Sequence, residues 1–146
     1  MSLYKLNDVE VMEQKAELTE EQRAEWVRKQ YQTATKFLAD KGFVTDSVKV
    51  EDSRYIAPLV AIWKLKTIDN HWFWVICGDL PSDYIAIDVA NDAKEAIRHF
   101  SMKWQLQAES IFKNQEATSE QNNYAQLLVG RAEGLYQLVN QEVLWV

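Results

Sequence analysis

The sequence predicts an α+β fold, and three observations carry that expectation. Apolar residues recur at helical spacing near the start and through the last third of the chain. The β-rich runs are grouped between those segments instead of alternating with helices. Glycine and proline number only 4 and 2 in 146 residues, too few for an all-β fold with many tight turns. The length fits one domain, 1–146. The predicted architecture is a small antiparallel sheet of three or four strands, about 44–50, 59–66, 71–78 and 83–88, with helices about 19–41, 92–113 and 119–143 packed on it.

Each element has a local cause. Residues 1–17 carry Val9, Val11 and Met12 among acids and admit a short helix or an arm. Thr19 followed by Gln22 is a capping-box pattern, with Leu18 placed as a staple before it. Trp26, Val27, Gln30, Tyr31, Ala34, Phe37 and Leu38 then recur three and four apart on one helical face, and Gly42 stands where a left-handed residue ends such a helix. Pro58 opens the run LVAIWKLK at a strand start. Asp69 and Asn70 supply turn chemistry before the strand HWFWVIC, which makes the two runs an antiparallel hairpin.

After the GDLPSD turn, YIAID is a third strand. Asn91 is placed to cap the next helix, with Asp92 near its positive end. Its stripe is Ala93, Ala96, Ile97, Phe100, Trp104, Ala108 and Ile111. Thr118 with Gln121 is a second capping box. The last helix carries Tyr124, Leu127, Leu128, Leu135, Leu138 and Val139, with Gly130 and Gly134 on one face, where a neighbouring helix can approach closely.

In the strand Trp72 to Cys77, Trp72, Trp74 and Ile76 point one way and Phe73, Val75 and Cys77 the other. Neither set is polar, so the strand is expected to be covered on both faces. That cover, and the apolar tail QEVLWV, raise the expectation of a homodimer.

Bulk charge narrows the partners. The net charge is −6 and the cations are scattered singly, so neither a phosphate-binding face for nucleic acid nor an anionic membrane surface is expected. No apolar run approaches the roughly 20 residues that span a bilayer. The one cysteine, Cys77, cannot form an internal disulfide, and no secretion signal is read at the N-terminus; the cytoplasm is the expected compartment.

Candidate chemistry is sparse. Asp79, Asp83 and Asp88 follow the central strand within ten residues, and oxygen ligands from such a turn suit magnesium or calcium, or an acid/base pair. The competing reading makes Asp79 a turn residue before Pro81 and Asp83 the start of the next strand, and it is favoured because the spacing lacks a dense calcium-loop pattern. Cys77 has His71 on the same strand face, but six residues of strand place them roughly 20 Å apart. His99 follows Glu95 at the spacing of a helix-surface pair. Trp72 and Trp74 form an aromatic run that serves as a ligand platform or as core, and Arg54 and Tyr55 stand beside the strands as possible pocket residues. No nucleotide-binding, P-loop or nucleophile-elbow motif is present, so no cofactor is expected.

The stretch WFWVICGDLPSDYIAIDVANDAKEAIRHFSMKW resembles a family of short bacterial proteins, mainly gammaproteobacterial, classed as a domain of unknown function. The resemblance rests on the Trp-rich strand, on Gly78-Asp79-Leu80-Pro81-x-Asp83-Tyr84-Ile85, and on the helix with Ala96, Phe100 and Trp104. It implies a stand-alone intracellular domain and carries no catalytic residues with it. Three readings of function follow, in order of preference. The first is a small cytoplasmic binding or interaction protein without its own catalysis. The second is a divalent-metal or acid/base enzyme using Asp79 and Asp83. The third is a toxin-neutralising immunity protein, suggested by size and acidity.

Overall fold

The computed structural model describes residues 18–145. The expectation for residues 1–17 lies outside them, as does Val146 of the C-terminal tail. The class is α+β: among the described residues there are three long helices and a five-stranded antiparallel sheet. The chain divides into two compact units at Ala96–Ile97.

The first unit begins with α1, Glu20–Asp40. The expected capping box is formed: Thr19 Oγ accepts from Gln22 N–H at 3.0 Å, and Gln22 Oε1 accepts from Thr19 N–H at 3.0 Å. Gly42 ends the helix with φ +94°, the left-handed region a Cβ disfavours. The strands are β1 (Thr45–Val48), β2 (Arg54–Ile56), β3 (Val60–Thr67), β4 (Trp72–Gly78) and β5 (Asp83–Ala86). Their order is β1-β3-β4-β5, with β2 also paired to β3. The expected strand 44–50 is β1, a further short strand that was not expected, β2, also pairs with β3, and the strand expected at 83–88 ends at Ala86.

The break between β1 and β2 has a physical reason. Residues Val50–Asp52 turn as a 3-10 helix and lift the backbone off the ladder. Ser53, buried, fills the gap: its Oγ accepts from Lys64 N–H at 3.0 Å and donates to Lys49 carbonyl oxygen at 2.9 Å. Pro58 follows a cis peptide, and the strand it was expected to open starts two residues later at Val60.

The β3–β4 hairpin is the centre of this unit. Trp63 pairs with Val75 and Lys64 with Trp74. Asn70 takes φ +66° in the connecting turn. One face buries Ala61, Trp63, Leu65, Phe73, Val75 and Cys77 with Ala34 and Leu38, and Trp26, Tyr31, Phe37, Tyr55 and Tyr84 are partly buried against that cluster. Burying Leu, Phe and Val side chains contributes about 1.5–3 kcal/mol each, so this cluster ties α1 to the sheet. On the opposite face Ile62, Trp74 and Ile76 are buried, at 0–1% exposure, while Trp72 and Lys64 are half-buried. The residues expected to be covered on both faces of β4 are buried, apart from the half-buried Trp72.

The second unit contains most of α2 (Ala93–Lys113) and all of α3 (Ser119–Val139). The cap of α2 is Asp92, not Asn91: Asp92 Oδ1 accepts from Glu95 N–H at 2.8 Å. Asn91 instead gives its backbone N–H to Glu95 Oε2 at 2.9 Å. The α2 stripe is buried as expected, with Ile111 half-buried. In α3 the buried set is Ala125, Leu128, Ala132, Gly134, Leu135, Leu138 and Val139, whereas Tyr124 and Leu127 are exposed. The two helices meet where small residues face each other, Ser101 Oγ donating to Ala132 carbonyl oxygen at 2.6 Å. Gly134 is buried, and Gly130 is half-buried. The helix expected to reach residue 143 ends at Val139, and a 3-10 turn, Glu142–Trp145, follows. There the Trp145 indole donates to Leu138 carbonyl oxygen at 3.0 Å, so the tail's aromatic end is held by its own chain.

Candidate functional site

The carboxylates expected as a site, Asp79, Asp83 and Asp88, follow the end of β4. Gly78 ends the strand with φ +134°, and Asp79 N–H donates to Leu59 carbonyl oxygen at 2.8 Å, which closes the turn against the start of β3. Asp79 is exposed there. Asp83 pairs in register with Ile76, and its Oδ1 accepts from the next backbone N–H, Tyr84, at 2.8 Å. β5 then runs antiparallel to β4, which carries Asp88 roughly 10 Å or more along the sheet from Asp83. Among the described residues no group of three or more His, Cys, Asp or Glu side chains is placed to hold a metal ion.

Cys77 is a core residue. Its thiol is fully buried and donates to Gln30 carbonyl oxygen at 3.4 Å. Burial pushes its pKa up to about 12. The nearby Trp63 indole pulls weakly the other way but forms no true bond, since its N–H is buried without a hydrogen-bond partner. A thiol so held has almost no thiolate near neutrality and is a poor nucleophile. His71 stands at the far end of the strand, its Nδ1 3.1 Å from Asp69 Oδ2 in the exposed turn. The Thr67 hydroxyl, then His71, hold the Asp69 carboxyl below its ordinary range.

The aromatic platform is closed. Trp74 is buried and its indole donates to Ala90 carbonyl oxygen at 3.1 Å. Trp72 is half-buried. Lys64 Nζ lies 5.7 Å from the centroids of both indoles and 3.1 Å from Asp52 Oδ2. Lys64, with Lys49 adding to it, holds the Asp52 carboxyl below its ordinary range. Arg54 and Tyr55 are neighbours in β2 and point to opposite faces. Tyr55 packs on Trp63, centroids 4.7 Å apart, and burial raises its phenol pKa. Arg54 is exposed on the other side. The pair does not line one pocket. His99 is half-buried on α2, and Glu95 turns its carboxylate back to Asn91.

A concave feature among the described residues lies elsewhere, on the helical hairpin of α2 and α3. A cleft of about 360 Å³ is lined by Arg98, Ser101, Met102, Gln105 and Tyr136. Successive turns of α2 bring Arg98, Met102 and Gln105 along one side, and α3 supplies Tyr136 opposite. Ser101 is buried, and its proton is engaged by Ala132, so the hydroxyl is a positioned acceptor and not a nucleophile. Gln105 Nε2 reaches Ser101 Oγ at 3.4 Å, a long contact easily exchanged. Its apolar lining is open to solvent, with Met102 57% and Tyr136 55% exposed, and Leu106, one turn along α2 from Met102, is 61% exposed. No sequence pattern marked these residues as a group. The only signal was negative, in that Met102, Leu106 and Tyr136 are large apolar residues standing outside the predicted stripes.

A family model described as a domain of unknown function (DUF4826) matches residues 20–145. The chain belongs to this family. The matched span takes in the whole sheet, all three long helices and the cleft-lining residues, so both units are parts of the family domain. Among curated proteins and among solved structures, nothing matches the chain. Among the described residues, no helix is long and apolar enough to cross a membrane.

Proposed function

We propose that the chain is a small binding protein without chemistry of its own, and that it binds through the α2–α3 hairpin. The observation that carries this reading is the exposure of Met102 and Tyr136 in a concave, partly polar cleft. Apolar groups that leave water on binding, with a few polar groups to orient the ligand, are the ordinary composition of a small-molecule site. The burial of Cys77 and the Asp83 bond to the Tyr84 N–H support binding over catalysis. The cytoplasmic setting expected from the lone cysteine belongs to the same proposal.

A fragment library screened by thermal shift tests it. Fragments that raise the Tm of the wild type are expected to lose their effect on a Met102→Gln, Tyr136→Ala double variant, whose substitutions sit at exposed positions. Equal stabilisation of wild type and variant would place binding elsewhere and overturn the reading.

A further inference from the structure

The cleft itself indicates what it takes. We propose that it binds a small amphipathic anion, with an aliphatic or aromatic body against Met102 and Tyr136 and a carboxylate or similar group at Arg98. This rests on the reading of the hairpin as the binding face. Arg98 is the one charged residue in the lining, and it has no ion pair among the described residues. The acids of its own helix hold other partners: Glu95 accepts from Asn91 N–H, and Glu109 pairs with Lys113 at 2.7 Å. A guanidinium left unpaired beside an apolar wall suits a planar anion, because its fork donates two parallel bonds to one carboxylate. Gln105, on its long bond to Ser101, has an amide N–H to spare for a second oxygen of the ligand. Ser101 cannot donate, since its proton goes to Ala132, and it therefore serves the ligand only through Gln105. The volume of about 360 Å³ lies at the small end of ligand pockets and holds a compact molecule, not a folded partner.

Titration calorimetry with three probes of equal chain length, octanoate, octylammonium and 1-octanol, tests the proposal on wild type, Arg98→Gln and Met102→Gln. Octanoate is expected to bind about tenfold or more tighter than the other two, the scale of one charge-assisted pair. Arg98→Gln should remove that advantage and leave octanol binding unchanged. Met102→Gln should weaken all three. If octylammonium and octanol match octanoate and all three weaken in Met102→Gln, the anion class is wrong while the cleft remains the site. If no probe binds, or Met102→Gln changes nothing, both the class and the cleft fall. Arg98 is exposed, and circular dichroism of the variant confirms that the comparison is made on folded protein.

Discussion

At the scale of the residue, Gly78 shows how closely the end of β4 is specified. A Cβ there would lie 2.4 Å from Leu59 carbonyl oxygen and 2.9 Å from Val60 Cα, on a backbone already at φ +134°. Gly42 also has positive φ, yet nothing lies within 4 Å of its Cβ position. Gly78→Ala is therefore expected to cost about 3 kcal/mol or more, and Gly42→Ala about 1 kcal/mol, read by urea denaturation. Similar losses at the two sites would contradict the packing described at the strand end. Cys77 makes a second, titratable case. Its folded pKa of about 12 lies above the ordinary 9.0, so the unfolded chain gives up the proton first as pH rises. The stability held below pH 9 is then lost between about 9 and 12, at up to about 1.4 kcal/mol per pH unit. The stability difference between wild type and Cys77→Ala should shrink across that window. At pH 8 the native thiol should resist alkylation until the protein unfolds; rapid reaction of the folded protein would contradict its burial.

At the scale of the element, the helices were the legible part and the edge of the sheet was not. Capping boxes at Thr19 and Thr118 write their own starts, because two backbone donors are satisfied by residues three apart in sequence. The strand pair β3–β4 was legible from length and apolar content. The β1–β2 edge was not, because its pairing depends on a contact eleven residues apart, Ser53 Oγ with Lys64 N–H. Ser53→Ala leaves that buried N–H unpaired, and a loss of about 1–3 kcal/mol is expected, together with faster hydrogen exchange at Lys64. Unchanged exchange there would mean that the hydroxyl does not bridge the strands. The α3 stripe was misread at Tyr124 and Leu127 for a related reason. Both are apolar, but they lie on the flank of the buried face, where only tertiary packing decides exposure. The cap of α2 shifted by one residue because Asn and Asp at 91 and 92 are both competent, and the side chain of Glu95 selects between them.

At the scale of the whole molecule, several residues suggestive of chemistry in the sequence make contacts within the fold. Asp83 bonds the first N–H beyond it in its own strand, Trp74 anchors Ala90, and Cys77 lies in the core. The cleft was illegible for the complementary reason. Arg98, Ser101, Met102 and Gln105 look like an ordinary solvent face until α3 sets Tyr136 against them. A groove between two helices is a property of their pairing, and no spacing within either helix encodes it. The central claim is that this hairpin, and not the junction after β4, is the face that meets a ligand. Backbone amide chemical-shift mapping, with ¹⁵N-labelled protein and any fragment that raises its Tm, tests that claim most directly. The account predicts shifts concentrated at residues 98–106 and 129–136, with 78–84 unmoved. Shifts centred on Asp79 and Asp83, with the hairpin silent, would contradict it.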